Sequence, residues 1–227
     1  MRQGVVRLPP SFNIEKARRA QRLIASMAKE EEVKGVEVVA GADVASRGGR
    51  MVAAVVLLEW GTWRKVEEVV AEVPELFPYV PTLLSFREAP SIIAGLRRAR
   101  VRPDVVFIDG QGKAHPYRCG LATHVGVVLD IPTVGVAKRR LFGVEGPFVD
   151  GVALLRDPEV GEVVGAAVVT KEGARPIYVS VGHKVTLRQA VELVLKSTLK
   201  GRRVPEPILA AHSLATRVAR EGLEGQP

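Results

Sequence analysis

The hydrophobic pattern of this chain changes its period after the third apolar segment, and this change restricts the folds that the chain can adopt. Residues 36–45, 51–60 and 63–73 are rich in Val, Leu and Ala. The pairs Gly48-Gly49 and Gly61-Thr62 separate them, and short connections of this kind favour hairpins. We therefore predict three consecutive antiparallel strands.

Beyond the proline-rich loop at residues 74–81, predicted helices alternate with short strands. Pro90 precedes apolar residues at helical spacing, which indicates a helix with proline in its first turn. The compact apolar run at residues 105–108 is typical of a buried parallel strand. A second helix is predicted near residues 120–129, and a strand follows at residues 133–137.

Further elements are predicted on both sides of this central part. Amphipathic spacing predicts an N-terminal helix over residues 11–32. After Gly143 we expect a hairpin, a strand and two closing helices, at residues 152–155, 162–170, 177–181, 187–199 and 207–221. Since no internal repeat or interdomain linker is visible, residues 1–227 are predicted to form a single domain.

This order predicts the α/β fold class, with a mixed central sheet flanked by helices. Three antiparallel strands are followed by parallel strands, and β and α elements are added at the C-terminal end. Right-handed crossovers place the first strand beside the fourth. Residues late in the first strand and at the carboxyl end of the fourth then face one crevice, where ligands of open α/β sheets bind.

The charge and cysteine content excludes several classes of protein. Lys and Arg number 33 against 25 Asp and Glu, which gives a net charge of +8, compatible with nucleic acid, anionic lipid or acidic protein partners. The single cysteine excludes an internal disulfide, and no zinc-finger or nucleotide-loop pattern is present. The N-terminus lacks the apolar segment of a signal peptide, so we expect a soluble cytoplasmic protein without membrane contact.

Three acidic residues fall near the predicted crevice. Asp43 lies inside the first strand, Asp109 ends the fourth, and Glu88 comes just before the Pro90 helix. The plain alternative is that Asp43 caps a bend and Asp109 starts an Asp-Gly turn. Together the three acids could instead hold one or two hard cations such as Mg²⁺ or Mn²⁺. Such ions activate water for attack on a phosphodiester.

Basic residues near the same edge are further candidates. Lys138 ends the fifth strand, where it could neutralise charge on a phosphate or be a solvated lysine. His115 and His124 flank Cys119, which is most simply a buried thiol. Both histidines could orient a phosphate, move a proton or contact the metal shell, or be buried structural residues. His212 on the last helix is a candidate of the same kind.

A short loop carries an aromatic residue between prolines. Pro78, Tyr79, Val80 and Pro81 follow one another in a chain with only 5% aromatic residues. A rigidly held Tyr79 could act as a wedge or stacking platform between bases. A loop that covers the core is the equally simple alternative.

Several strings resemble the endonuclease V family in order and spacing. They are GADVAS with Asp43, PYVPTLLSFREAP with Tyr79 and Glu88, DVVFIDGQGKAHPYRCGLATHVG with Asp109, and PTVGVAKRRLFG with Lys138. YVSVGHKVTL and PEPILAAHSLAT are similar to later segments of that family. The resemblance runs over residues 14–217, nearly the whole chain.

The resemblance implies a ribonuclease H-like fold and a Mg²⁺-dependent endonuclease, with Mn²⁺ as a substitute. The implied substrate is DNA with deaminated bases, chiefly deoxyinosine, cut at the second phosphodiester bond on the 3′ side to leave 3′-hydroxyl and 5′-phosphate ends. Inosine-containing RNA is a second implied partner, and we expect a monomer. One alternative is an inosine-specific endoribonuclease. The other is a non-catalytic nucleic-acid-binding module, but the retained acids argue against this module, because acids that face a polyanion weaken binding unless metal occupies them.

The resemblance also implies roles for individual residues. Asp43, Asp109 and Glu88 would hold metal, Lys138 would assist at the phosphate, and Tyr79 would fill the gap left by an extruded lesion. The implied lesion pocket uses groups near Thr82, Leu83, Leu84, Gly110 and Gly112. The chain departs from the family at two positions, since Thr82 stands where many members have Gly and Gln111 stands where His is frequent.

Overall fold

The computed structural model describes residues 13–221 of the chain, which form one mixed β-sheet with helices on both faces. The helices are α1 (Ile14–Met27), α2 (Leu84–Arg98), α3 (Leu121–Leu129), α4 (Leu187–Lys196) and α5 (Glu206–Glu221). The strands are β1 (Val38–Arg47), β2 (Arg50–Glu59), β3 (Lys65–Pro74), β4 (Val105–Asp109), β5 (Thr133–Ala137), β6 (Val144–Glu145), β7 (Val152–Arg156), β8 (Val163–Val168) and β9 (Ile177–His183).

The sheet order is β3-β2-β1-β4-β5-β9-β8-β7-β6. Strand β1 pairs antiparallel with β2 and parallel with β4, and β4 pairs parallel with β5. The predicted α/β class, with three antiparallel strands followed by parallel ones, is therefore confirmed. The later strands extend the same sheet, because β9 pairs antiparallel with β5.

Alternation along β1 divides the core between the two faces of the sheet. Val39 packs with apolar residues of α4 and α5, whereas Ala40 and Ala42 pack with residues of α2 and α3. Helix α5 crosses β1 closely, because a Cβ atom at Gly41 would lie 1.8 Å from the carbonyl oxygen of Pro207. This glycine therefore fixes how near α5 comes to the strand that carries Asp43.

The structure corrects the prediction for the second helix. Helix α2 begins at Leu84, so Pro90 lies inside the helix rather than in its first turn, and Glu88 is helical. Pro90 is exposed, where water can replace the helical hydrogen bond that proline lacks. The start of α2 carries no side-chain cap at Leu83, which explains why the sequence pattern misplaced it.

The first helix is shorter than predicted and buries a different face. It begins at Ile14, and residues 11 and 12 lie outside the described part of the chain. Its buried residues are Ala17 and Gln21, whereas Leu23 and Met27 are exposed. The apolar spacing therefore indicated a helix correctly but not its buried face.

Two smaller findings complete the fold. The two-residue strand β6 was not predicted, because so short a segment has no periodicity. Within residues 13–221, no helix is both long enough and apolar enough to cross a membrane.

Candidate active site

Two carboxylates lie side by side on adjacent parallel strands, with Asp109 at the end of β4 and Asp43 inside β1. Ala42 of β1 is paired with Ile108 of β4, so Asp43 and Asp109, the next residues, are level with each other. Because side chains alternate along a strand, Asp43 shares the face of Gly41, against which α5 packs. The fold thus brings both acids to the α5 side of the sheet.

His212 of α5 completes this cluster. Its Nδ1 atom lies 2.7 Å from Asp43 Oδ2. One ligand atom each from Asp43, Asp109 and His212 lies within 4.8 Å of the other two. Two carboxylates and an imidazole at this spacing are a suitable donor set for a divalent cation. The sequence singled out His212 but gave no sign of its pairing with Asp43.

Crowding of the acids raises their affinity for protons. Burial, the nearby Asp43 carboxylate and Asp109 raise the pKa of Glu88 to about 8, against the lowering effect of Arg87. Burial and the Asp109 carboxylate also raise the pKa of Asp43, although His212 partly opposes this. A bound cation would compensate this excess of negative charge. Glu88 approaches the cluster from α2, on the opposite side from α5.

Lys138 lies at the same edge of the sheet, directly after β5. Its Nζ atom donates a hydrogen bond of 2.7 Å to Asp109 Oδ2. The side chain is 40% exposed, so it also faces solvent. The guanidinium of Arg203 donates to the carbonyl oxygen of Lys138 at 3.1 Å and fixes the backbone there. The sequence therefore placed Lys138 correctly beside Asp109.

The loop predicted as a wedge stands beside a pocket. Tyr79 is 52% exposed, Pro81 is also exposed, and Pro78 and Val80 are half-buried. The pocket walls include Tyr79, Thr82, Leu84, Ser85, Gln111, His115 and Leu141. The structure thus brings Tyr79 together with two of the predicted pocket residues, Thr82 and Leu84.

The other predicted pocket residues are engaged within the fold instead. Leu83 is fully buried, and the amide of Gly110 donates to the Val136 carbonyl oxygen at 3.1 Å. The amide of Gly112 donates to Ser180 Oγ at 2.8 Å. Both glycines therefore position the turn after Asp109 rather than form pocket walls.

Thr82 holds a strained backbone conformation at the edge of the pocket. Its φ angle is 66°, in the left-handed region that favours glycine and penalises a β-branched residue. Its carbonyl oxygen accepts from Gln21 Nε2 at 2.7 Å and His115 Nε2 at 3.0 Å, and more distantly from Arg18 Nη1 at 3.5 Å. Gln21 is fully buried on α1, so the first helix braces the loop that carries Tyr79. Sequence analysis did not single out Gln21, whose only signal is an amide at helical spacing from Ala17.

His115 is committed to this bracing. Its Nε2 atom must carry hydrogen, because the Thr82 carbonyl oxygen can only accept, and its Nδ1 atom accepts from the Tyr117 amide at 3.1 Å. Burial lowers the pKa of His115 to about 4, which favours the neutral ring. Both ring nitrogens are thus occupied. His115 is not one of the residues that form the Asp43 cluster.

His124 is half-buried on α3, and Cys119 is a buried residue that lines the pocket. Burial lowers the pKa of His124 to about 4, and its ring meets Phe86 edge-on at 5.3 Å. Burial also raises the pKa of the Cys119 thiol to about 12. The buried thiol expected from the sequence is confirmed, and the Nδ1 atom of His124 has no hydrogen-bond partner among residues 13–221.

Comparison with known proteins gives a consistent result. The family model for Endonuclease V matches residues 19–213 of the chain. A curated relative from Thermofilum pendens, named Endonuclease V, is 45% identical over 224 residues, which cover 97% of this chain and 95% of that protein.

Solved structures agree with the sequence relatives. The crystal structure of Endonuclease V from Streptomyces avermitilis superposes with a TM-score of 0.85 at 36% identity and covers 96% of this chain and 99% of that one. Endonuclease V from Ciona intestinalis has a TM-score of 0.82 at 26% identity, covering 92% and 98% of the two chains. That structure contains a 24mer DNA with an inosine followed by a ribo-adenosine.

Proposed function

This chain belongs to the endonuclease V family, and we propose that it is a metal-dependent endonuclease that repairs DNA carrying deaminated bases. The proposed reaction is hydrolysis of the second phosphodiester bond on the 3′ side of a deoxyinosine, leaving 3′-hydroxyl and 5′-phosphate ends. The observation that carries this proposal is the cluster of Asp43, Asp109 and His212 at the carboxyl end of β4, beside the middle of β1. Ligands of open α/β sheets bind at this edge.

The residues of the cluster fit a hard divalent cation. Carboxylate oxygens predominate, which favours Mg²⁺ and Mn²⁺, and burial, with the neighbouring carboxylates as a second cause, raises the pKa of Glu88 and of Asp43. Asp43, Asp109 and His212 would hold the ion, with Glu88 facing it from α2. When bound, such an ion lowers the pKa of water and stabilises the leaving oxygen of a phosphodiester. We propose Mg²⁺, with Mn²⁺ as a substitute.

Lys138, which is paired with Asp109, is the proposed cation that contacts the scissile phosphate. Lys138 is held by Asp109 at one end and by the Arg203 contact to its backbone at the other. Its ammonium group is therefore already placed to interact with a non-bridging phosphate oxygen. We propose this as its catalytic role.

Tyr79 and its loop would separate the lesion from its neighbours. The exposed ring stands at the rim of the pocket, where it can stack in the space that an extruded base leaves. Bracing of Thr82 by Gln21 and His115 keeps the loop in place. We therefore assign His115 to positioning of the wedge loop, not to proton transfer.

A second candidate substrate is inosine in RNA. The Ciona relative was crystallised with DNA in which a ribo-adenosine follows the inosine, so a 2′-hydroxyl next to the lesion is compatible with this fold. The 2′-hydroxyl is the group by which a protein distinguishes RNA from DNA. We propose DNA as the main substrate, with RNA as the alternative.

We further propose that the chain acts as a single-domain monomer in the cytoplasm. Its proposed substrate is nucleic acid, and its single buried Cys119 needs no oxidising compartment. Light scattering of the purified protein tests the monomer.

The decisive experiment is a cleavage assay on end-labelled DNA with one deoxyinosine, in Mg²⁺, Mn²⁺ or a chelator. A matched oligonucleotide with inosine in RNA gives the second arm. We expect a nick at the second phosphodiester bond in metal only, with a 3′ end that a polymerase extends. Asp109→Asn should lower the rate about 100-fold or more, since it removes an anionic ligand.

The matched control is Asp150→Asn, an exposed aspartate far along the chain in a left-handed conformation that asparagine tolerates. It should cleave like the wild type. Intact DNA after incubation of folded protein with either metal would contradict the endonuclease and favour a binding module. Preferential cutting of the RNA would make the alternative substrate the correct one.

A further inference from the structure

Two buried oxygen atoms at the pocket beside Tyr79 have no hydrogen-bond partner within residues 13–221. They are Oε1 of Gln111 and Oγ of Ser85. Both residues belong to the pocket walls, and they are only 9% and 3% exposed. Buried polar atoms are nearly always paired in folded proteins, because an unpaired one has lost its hydrogen bonds to water without replacement. Two such atoms in one pocket indicate that a ligand supplies their partners.

The orientation of the Gln111 amide is fixed by a neighbouring carbonyl group. Gln111 Nε2 donates to the carbonyl oxygen of Arg139 at 3.0 Å. A flipped amide would bring two oxygen acceptors together, so the nitrogen must face Arg139. The free Oε1 atom is therefore an acceptor only. The hydroxyl of Ser85 can donate or accept.

We propose that Gln111 is a specificity-determining residue that reads the ring N–H of a deaminated base. This inference rests on the proposed function, since it takes the pocket to receive the extruded lesion. Hypoxanthine, xanthine and uracil share a lactam edge, in which a ring N–H donor adjoins a carbonyl acceptor. Gln111 Oε1 would accept from the N–H, and the Ser85 hydroxyl would donate to the carbonyl oxygen.

Adenine and cytosine, the parent bases of hypoxanthine and uracil, present the opposite order of groups. Adenine and cytosine carry a ring nitrogen lone pair where the lactam has N–H, and an amino group where it has oxygen. The ring nitrogen of adenine or cytosine and Gln111 Oε1 are both acceptors, so neither atom gains a hydrogen bond when they face each other. Sites that use a buried hydrogen-bonding group reject the wrong partner strongly for this reason. The pair of Gln111 and Ser85 thus favours hypoxanthine over adenine and uracil over cytosine, whereas guanine and thymine carry the same lactam edge and must be excluded by other contacts.

The test compares Gln111→Leu and wild type on two DNA substrates that differ in one base. One contains deoxyinosine, and the other contains purine 2′-deoxyriboside, which lacks the ring N–H and the carbonyl oxygen. We expect Gln111→Leu to lower kcat/KM on deoxyinosine about 10- to 100-fold, and to leave kcat/KM on the purine substrate near the wild-type value. Lesion binding in chelator should fall by a similar factor on deoxyinosine only.

Two further variants make the result interpretable. Gln111→Met keeps an unbranched side chain and replaces Gln111→Leu if the melting temperature shows that the latter is unfolded. Thr123→Val is the matched control, because Thr123 Oγ1 is also buried and unpartnered in the described chain but belongs to α3 outside this pocket.

The outcomes separate this inference from the proposed function. Equal losses on both substrates, or no loss on deoxyinosine, would overturn the role of Gln111 while wild-type cleavage upheld the endonuclease. Failure of the wild type to cleave deoxyinosine under any metal condition would overturn the proposed function itself. An equal loss in Thr123→Val would show that the effect comes from packing, and would also overturn the inference.

Discussion

Glu88 makes the metal-free protein sensitive to pH. Its pKa is about 8 in the folded chain, against 4.5 for the ordinary group, so the folded state holds its proton more tightly than the unfolded state. Its contribution to stability is fully present below pH 4.5 and is lost as pH rises through 8. In chelator, Glu88→Gln should therefore be more stable than wild type by about 5 kcal/mol well above pH 8, with little difference near pH 4.5.

Thermal unfolding of both proteins from pH 4.5 to 9 measures this difference. Glu15→Gln, which changes an exposed acid of α1, should follow the wild-type curve throughout. Added Mg²⁺ should narrow the difference between Glu88→Gln and wild type at high pH, because a cation favours the ionised carboxylate. A constant difference at all pH values would mean that Glu88 is not the group that titrates.

Single residues of the site were predictable where strand order alone decides their position. Asp43 and Asp109 follow paired positions of β1 and β4, so the topology was enough to bring them together. The contact of His212 with Asp43 depends on which face α5 turns to the sheet. The contact of Gln21 with Thr82 depends in the same way on α1. The apolar periodicity of α1 and α5 does not determine which face each helix turns to the sheet or loop, because polar residues, Gln21 and His212, make these contacts.

Contact between α5 and β1 depends on Gly41. A methyl group at this position would overlap the backbone of Pro207, so Gly41→Ala must push the start of α5 away from the sheet. We expect a loss of about 3 kcal/mol in unfolding free energy. We also expect weaker cleavage, because His212 would move from Asp43.

Calorimetry and the deoxyinosine assay check this prediction together. Gly146→Ala is the control, since a Cβ atom there would have its nearest neighbour at 3.5 Å, an ordinary contact. An unchanged melting temperature in Gly41→Ala would show that α5 is not held by close approach to β1.

Among the elements, those with strong periodicity were predicted best. Strand β5 was predicted at its observed bounds, and β4 and α3 to within one residue. The start of α2 was misplaced because Pro90 suggested a first turn, whereas the turn at residues 80–83 and the buried Leu83 begin the helix. A proline rule describes the commonest position of the residue, and local packing overrode it here.

Two exposed pairs of arginines lie at opposite ends of β4. Arg139 and Arg140 are exposed and follow Lys138 at the site. Arg97 and Arg102 precede β4 and lie at its other end, roughly 13 Å away along a five-residue strand. Only the first pair is placed to neutralise phosphates near the cluster.

Binding of deoxyinosine DNA in chelator, measured over a range of salt concentrations, distinguishes the two pairs. The double change Arg139→Ser and Arg140→Ser should reduce the slope of log K against log salt by up to about 2. The double change Arg97→Ser and Arg102→Ser should leave it unchanged. Equal reductions would mean that DNA also follows the far end of the sheet.

The outer strands of the long sheet affect how the protein behaves at high concentration. Its two outer strands are β3 and β6. Strand β6 has two residues, too few to template a neighbour, and β3 carries Lys65, Glu67, Glu68 and Glu72 along its length. Charged or very short edge strands resist edge-to-edge pairing between molecules. The nine-stranded sheet of residues 13–221 therefore offers poor edges for aggregation to begin on.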